Sequence, residues 1–171
     1  MDFEYYLDRF QKTADKLDAK LLRDKNIEAA VGIVLDSVFL KLYKKSWTNS
    51  FQDPLNAESR IFFSIWVNDS AVKQQKVFYN IHALKLRNLN GYSIQSRKFA
   101  EIFRQRFTAF SSQWQNVSLE FGPLTLMEGW IKLDPANFQN QILKLANNFL
   151  QIEYLIDDIL VEFKNQGKNQ R

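Results

Sequence analysis

Apolar residues recur every three or four positions in the first part of the chain, which is the spacing of one helix face. This pattern predicts a helix over residues 2–24, with Asp2 as its N-cap. Residues 26–36 continue a helical spacing, whereas residues 37–47 are rich in aromatic and β-branched side chains. A second helix and a first strand are therefore predicted there. The border between them stays open, because the segment fits either structure.

Segments rich in aromatic and β-branched residues in the middle of the chain predict strands at residues 60–69 and 76–87. Both segments are apolar on both faces, so the sheet is predicted to be covered on each side over part of its length. Asn90-Gly91 is a turn sequence, and a helix is predicted after it at residues 94–112.

The last third of the chain combines two short strands with the longest helical pattern. The strands are predicted at residues 116–121 and 124–133. Asp134-Pro135 then supplies a carboxylate cap and a proline, so an unbroken helix is predicted over residues 135–164, about 45 Å long at 1.5 Å per residue. The apolar stripe of this helix is expected to be buried and consists of Phe138, Ile142, Leu145, Phe149, Ile152, Ile156, Ile159 and Phe163.

These elements predict an α+β fold, because consecutive strands do not alternate regularly with helices. The expected architecture is an antiparallel sheet of four to five strands. An N-terminal helical segment, a middle helix and a long C-terminal helix pack on it. Residues 1–165 are predicted to form a single domain and residues 166–171 a frayed tail.

Charge is unevenly distributed along the chain, although the net charge of +4 is modest. Residues 60–106 carry nine basic and two acidic side chains, whereas residues 107–164 carry three basic and seven acidic ones. Such a basic block favours binding of an anion or a nucleic acid. Alternatively, it complements the acidic half of the fold.

The candidate anion site lies at the start of the middle helix, where backbone N–H groups attract negative charge. With Ser93 or Ser96 as the cap, Arg97 and Lys98 lie in or just past the first turn. The candidate anion-binding residues are Lys85, Arg87, Arg97, Lys98 and Arg104. Interleaved aromatic residues offer stacking surfaces for single-stranded nucleic acid or, alternatively, belong to the core: Tyr43, Trp47, Tyr79 and Tyr92.

Residue patterns typical of catalysis are few. The chain has no cysteine, and its five glycines form no phosphate-binding loop, so no cofactor and no metal site are predicted. His82 is the one histidine and is interpreted as a packed or hydrogen-bonded sheet residue. The alternative is an enzyme site that uses His82 or a carboxylate such as Glu120 or Glu128.

Residues 157–164, DDILVEFK, resemble the metal-binding core of PD-(D/E)XK nucleases, in which two acids hold a metal ion and a lysine orients water. However, Asp157 and Asp158 lie too near Glu162 for that family, and the apolar positions continue the helical repeat. A helix with a solvated acidic face is predicted instead.

Without catalytic motifs, the sequence favours a non-enzymatic protein-interaction or accessory domain. The long C-terminal helix is expected to overhang a small sheet and to self-associate through Ile156, Ile159 and Phe163. The alternatives are anion or nucleic-acid binding through residues 60–106, and the enzyme described above. The sequence shows neither a signal-peptide pattern nor an apolar run of membrane-spanning length, so a cytoplasmic protein without membrane contact is expected. Its many Asn, Gln, Lys and Phe residues indicate a bacterial source.

Overall fold

The computed structural model describes residues 1–165, so the predicted frayed tail at residues 166–171 lies outside the described residues. The helices are α1 (Phe3–Asp15), α2 (Ala19–Asp24), α3 (Asp69–Lys73), α4 (Ser96–Phe107), α5 (Phe138–Ile152) and α6 (Tyr154–Glu162). The strands are β1 (Glu28–Val34), β2 (Ser37–Tyr43), β3 (Arg60–Asn68), β4 (Lys76–Leu84) and β5 (Thr125–Lys132). None of the helices within residues 1–165 is long and apolar enough to cross a membrane.

The five strands form one sheet in chain order, β1-β2-β3-β4-β5, and each strand is antiparallel to its neighbours. The predicted α+β fold with an antiparallel sheet is therefore confirmed. β1 and β2 are joined by a two-residue turn, which is a typical connection between antiparallel neighbours. In contrast, residues 85–124, which include α4, separate β4 from β5.

The large helices pack on one face of the sheet. Phe149 of α5 stacks on Phe63 of β3 with ring centroids 4.6 Å apart. Phe107 of α4 and Tyr79 of β4 both contact the buried Trp114.

The opposite face lines a cavity that opens to solvent. Phe39, Phe62, Ser64 and Asn80 on this face are nonetheless buried, so cover of both faces over part of their length stays a prediction. That opposite face is called the open face below.

The predicted N-terminal helix divides into α1 and α2. Asp2 caps α1 as predicted, since its side chain accepts a hydrogen bond from the Tyr5 N–H. Asp18 caps α2 by accepting hydrogen bonds from the N–H groups of Lys20 and Leu21. A carboxylate that binds backbone N–H groups competes with a continuous helix, which explains the division.

The helix predicted at residues 26–36 is wrong, because this segment is β1. Asn26 takes a left-handed backbone with φ 56°, which ends α2 before the strand. All seven residues of β1 then pair with β2, from Glu28 opposite Tyr43 to Val34 opposite Ser37. Pairing with β2 stabilises the strand more than the weak helical preference of this segment stabilises a helix.

Two strand predictions need a smaller correction. The strand predicted at residues 76–87 ends at Leu84. Lys85 therefore follows the strand with a left-handed backbone, and Arg87 lies in a 3₁₀ turn. The strand predicted at residues 116–121 is reduced to one bridge, in which Ser118 and Glu128 exchange two backbone hydrogen bonds.

The prediction of one unbroken helix over residues 135–164 is wrong. The C-terminal helix is long but bent, because it divides into α5 and α6 at Glu153. Asp134 caps the preceding 3₁₀ turn by accepting a hydrogen bond from the Ala136 N–H. Glu153 is 3% exposed and pairs with Lys25 at 3.0 Å and with Lys44 at 2.7 Å. This buried ion cluster lies at the bend and fixes the position where α6 leaves the sheet.

The stripe of the C-terminal helix is buried as predicted except for Phe163, which is half-buried. The expectation that the end of this stripe would be left uncovered beyond the sheet is wrong. α6 packs against α4, where Phe163 contacts Phe99. Ile156 and Ile159 are fully buried within the chain as a result.

Candidate functional site

Four polar side chains form a row across the open face of the sheet. Lys41 of β2 lies opposite Ser64 of β3. Ser64 lies opposite Asn80 of β4, which lies opposite Glu128 of β5. Directly opposed residues of neighbouring strands point to the same face of a sheet. We call these four residues the polar row.

Aromatic rings form a second row beside the polar row. Phe39, Trp66, Phe78 and Trp130 lie opposite one another on the same four strands. The rings of Trp66 and Phe78 stack with centroids 4.8 Å apart. On the other side of the polar row, Phe62 lies opposite His82. The polar groups are thus enclosed between apolar walls.

The two rows and their neighbours line a cavity of about 340 Å³ that opens to solvent. This volume lies within the range of small-molecule sites, which combine apolar walls with a few convergent polar groups. The cavity is lined by Phe62, Trp66, His82 and the four residues of the polar row, among others.

Lys41 is held between two aromatic rings. Its Nζ lies 4.4 Å from the ring centroid of Phe39 and 4.6 Å from that of Phe62. Burial, together with the positive charge of Arg60, lowers the pKa of Lys41 from 10.5 to about 8. No carboxylate within residues 1–165 forms an ion pair with Lys41. At neutral pH, Lys41 is therefore positively charged in most molecules, and no ion pair within residues 1–165 neutralises this charge.

Asn80 and Glu128 supply the acceptors at the other end of the row. Asn80 is 3% exposed, and its Nδ2 donates a long hydrogen bond of 3.4 Å to Glu128 Oε2. Asn80 Oδ1 is buried and accepts no hydrogen bond from any residue in the described range. An unsatisfied buried carbonyl costs about 1–3 kcal/mol, so a ligand that donates to it would recover this energy.

His82 is partly buried at the margin of the cavity. Its Nδ1 lies 3.1 Å from Thr125 Oγ1 and 3.3 Å from the Leu124 carbonyl oxygen. Burial lowers the pKa of His82 below its ordinary value, although the Leu124 contact and the charge of Glu128 oppose the shift. His82 is therefore neutral at pH 7. The structure brings His82 and Glu128 to one cavity, whereas Glu120 lies in an exposed loop and does not line it.

The residues predicted to bind an anion lie elsewhere and have other contacts. α4 begins at Ser96, so Arg97 and Lys98 lie in its first turn, but the cap is Gln95, which makes no side-chain hydrogen bond. Lys98 pairs with Glu101 at 3.6 Å.

Among the other predicted anion-binding residues, Lys85 pairs with Glu58, while Arg87 is exposed. Arg104 donates four hydrogen bonds to the carbonyl oxygens of Phe121, Gly122, Thr125 and Leu126. These bonds give Arg104 a structural role in holding the loop before β5. Anion binding by the set as a whole stays a prediction.

The aromatic residues predicted as stacking surfaces are not accessible for that purpose. Trp47 and Tyr79 are fully buried, Tyr43 is 7% exposed, and Tyr92 is half-buried. On the open face, Trp66 and Phe78 already stack on each other, and lysines cover the rings of Phe39, Phe62 and Trp130. The geometry therefore gives little support to base stacking.

The acidic residues near the C-terminus belong to a helix, as predicted. Asp157 accepts hydrogen bonds from Lys44 and from Trp47 Nε1, and Glu162 pairs with Arg106. Within residues 1–165, no group of three histidine or acidic side chains is placed to hold a metal ion.

No protein-family model, no curated protein and no solved structure matches the chain. The interpretation of the cavity therefore depends on its geometry alone.

Sequence reasoning missed the polar row, although its residues share a recognisable property. Each interrupts an apolar strand: Lys41 in SVFLKLY, Ser64 in RIFFSIWVN, Asn80 in KVFYNIHAL and Glu128 in TLMEGWIK. A polar residue in the middle of an apolar strand marks a position where the buried face meets something polar. The strand register, which the sequence does not reveal, is needed to show that the four positions coincide.

Proposed function

We propose that the cavity on the open face binds a small molecule with an apolar body, an anionic group and a hydrogen-bond donor or amine. The polar row carries this proposal, because it places a cation and a carboxylate at opposite ends of one cavity with no ion-pair partner within residues 1–165. Asn80 Oδ1 adds a buried acceptor between them.

Each end of the polar row favours a different ligand group. The ammonium of Lys41 has donors only, so it recognises a carboxylate or phosphate, and Arg60 strengthens the positive potential there. Asn80 Oδ1 and the carboxylate of Glu128 accept hydrogen bonds, so they recognise an amine or hydroxyl. Trp66, which is partly exposed and lines the cavity, offers apolar contact to the body of the ligand.

Three probes with one common body separate these contributions: phenylalanine, phenylpropionate and phenethylamine. Phenylalanine carries both charged groups, phenylpropionate only the anion, and phenethylamine only the amine. We expect phenylalanine to bind most tightly, because a charge-assisted hydrogen bond contributes about 1.5–3 kcal/mol. Isothermal titration calorimetry measures the affinities, and loss of the fluorescence quenching in Trp66→Phe locates the binding.

Two variants assign the ends of the cavity. Lys41→Met should weaken the binding of phenylpropionate by about tenfold or more and leave the affinity for phenethylamine nearly unchanged. Glu128→Gln should weaken the binding of phenethylamine and leave the affinity for phenylpropionate nearly unchanged. Lys12→Met is the matched control, because Lys12 is exposed on α1. The proposal fails if none of the probes binds at about 10 mM, or if both variants bind all three like the parent.

A second candidate function is general acid–base catalysis, favoured by the presence of His82 and Glu128 in one cavity. A neutral imidazole at pH 7 can accept a proton, and Glu128 can orient a substrate amine or hydroxyl. If a bound probe is also converted, His82→Gln should abolish turnover while the dissociation constant of the probe changes less than about threefold. Binding without turnover of any probe supports the non-enzymatic function.

A further inference from the structure

The outer edge of β1 presents a row of unpaired backbone groups. Val34 and Ser37 flank the two-residue turn to β2, so Glu28, Ala30, Gly32 and Val34 direct their backbone groups toward β2. Ala29, Val31 and Ile33 direct theirs outward. Within residues 1–165, no backbone or side-chain hydrogen bond from outside the sheet reaches these three residues.

The sequence of the edge also lacks the usual protection against pairing, although α1 contacts β1. Exposed edge strands normally carry lysine, proline or a bulge that prevents association. β1 reads EAAVGIV, in which Glu28 is the one charged residue, and its register with β2 is regular. Ile33 is 49% exposed, and Leu35 at the turn is 96% exposed with a left-handed φ of 52°. An apolar edge of this kind is costly in water.

We propose that two copies of the chain pair antiparallel through β1, with the two-fold axis at Val31, and so form one continuous sheet of ten strands. In this register Val31 lies opposite Val31 of the second copy, and Ala29 lies opposite Ile33. The outward backbone groups of all three residues are then paired.

The side chains of β1 favour a second copy over an unrelated peptide. A two-fold interface must be self-complementary. Here the small Ala29 faces the large Ile33, and no charged residue faces a like charge, because Glu28 lies opposite Val34. A seven-residue strand pair gives a small interface, so a dimer that dissociates in the micromolar range is expected.

This interface differs from self-association through the C-terminal helix and does not depend on a ligand in the cavity. Ile156 and Ile159 are buried against α4 in the same chain, so a dimer through them would require α6 to separate from α4. The exposed apolar side chains that remain on α6 are Tyr154, at 42%, and Val161, at 68%. Val161 therefore supplies a control for that alternative surface.

The test introduces charges at Ala29 and Ile33, which are both exposed in the single chain. Ala29→Lys with Ile33→Lys brings like charges directly opposite each other twice in the proposed register. Ala29→Glu with Ile33→Lys instead brings opposite charges together at the same two places. Each pair of substitutions removes the same apolar contacts, so the comparison isolates register and charge.

Sedimentation equilibrium from about 1 to 300 μM in low salt measures the result, with circular dichroism to compare the folds. We expect a concentration-dependent dimer for the parent and for Val161→Lys. The Lys/Lys variant should dissociate at least about tenfold more readily, and the Glu/Lys variant should dimerise again.

Four results would overturn the proposal. One is a parent that stays monomeric over the whole range. Another is a Lys/Lys variant that dimerises like the parent. The third is a Glu/Lys variant as weak as Lys/Lys, which would refute the two-fold at Val31. Loss of the dimer in Val161→Lys alone would assign it to α6.

Discussion

At the scale of single residues, Lys41 shows how the open face departs from an ordinary solvated sheet. A lysine on such a surface keeps its charge up to pH 10, because water solvates the ammonium. Between the rings of Phe39 and Phe62 and near Arg60, the pKa of Lys41 falls to about 8. The folded chain therefore binds fewer protons than the unfolded chain between pH 8 and 10.5.

This difference in proton binding predicts how stability depends on pH. The free energy of unfolding should gain a contribution from Lys41 as pH rises from about 8 toward 10, with a slope below about 1.4 kcal/mol per pH unit because the side chain is partly exposed. Lys41→Met lacks this contribution. Urea unfolding of both proteins at pH 7, 8, 9 and 10 measures the difference, and parallel pH profiles would contradict the lowered pKa.

The same lowered pKa predicts how ligand binding depends on pH. Loss of the proton from Lys41 above about pH 8 removes the charge that attracts an anion. The affinity for phenylpropionate should therefore fall between pH 7 and pH 9 in the parent but not in Lys41→Met. Calorimetry in two buffers of different ionisation enthalpy should also show proton uptake on binding near pH 8. A pH-independent affinity with no proton uptake would exclude Lys41 from the contact.

Gly129 lies where the side chain of Tyr79 approaches the backbone so closely that only glycine fits. The Tyr79 hydroxyl donates a hydrogen bond to the Gln115 carbonyl oxygen and lies against Gly129. A Cβ at position 129 would collide with that hydroxyl, and Tyr79 is fully buried and cannot move aside. Gly129→Ala should therefore destabilise the chain by about 1–3 kcal/mol.

Gly122 provides the control for this substitution, because a Cβ there meets no atom within 4 Å. Gly122→Ala should change the free energy of unfolding by less than about 1 kcal/mol. Chemical denaturation of the two variants gives the comparison. Equal stabilities would mean that the contact between Tyr79 and β5 is looser than described.

At the scale of elements, the bend between α5 and α6 depends on a buried ion cluster. Glu153 is 3% exposed and lies between Lys25 and Lys44. Burial lowers the pKa of Lys44, but hydrogen bonds with Asp157 and Glu153 outweigh it and raise that pKa overall. The charged form of Lys44 is thus the form that the fold stabilises.

Removal of the positive charge of Lys44 should lower the free energy of unfolding, because the buried charge of Glu153 then has only Lys25 as an ion-pair partner within residues 1–165. Lys44→Met is expected to destabilise the chain by about 3–5 kcal/mol. Lys12→Met breaks the exposed pair between Lys12 and Asp8 and should cost less than about 1 kcal/mol. Urea unfolding at pH 7 distinguishes the two values. A small effect of Lys44→Met would show that water or Lys25 alone can solvate Glu153.

At the scale of the whole molecule, the N-terminal helix packs against the start of α5. Tyr6 and Phe10 of α1 both contact the ring of Phe138 at the start of α5, with centroids 5.3 and 5.6 Å apart. α1 also contacts β1 and β2. Since the first and last large helices share one core with the sheet, residues 1–165 should unfold as a unit.

Phe138→Ala tests this coupling. Removal of a buried phenylalanine ring should cost about 3–5 kcal/mol. The transitions followed by tryptophan fluorescence and by far-ultraviolet circular dichroism should shift together, because both report one cooperative event. Two separated transitions in the parent or the variant would contradict the single-domain prediction.

The sequence by itself determined those elements whose local preference and apolar spacing agree. β2, β3, β4 and β5 lie within the predicted segments, as do α1, α4 and α5. Asp2 and Asp134 were identified because capping depends on residues next to each other in the chain. β1 was missed because the sequence EAAVGIV fits the residue spacing of a helix as well as that of a strand. Pairing with β2 therefore decided its structure.

Only the tertiary structure decided the candidate site and the cover of the C-terminal helix. The polar row joins single residues from four strands, and antiparallel register depends on how the sheet packs as a whole. The helical spacing of residues 135–164 was correct, but it carried no information on the bend at Glu153 or on α4 as the partner of α6. Local periodicity reports which face of an element is apolar, whereas long-range packing determines what covers that face.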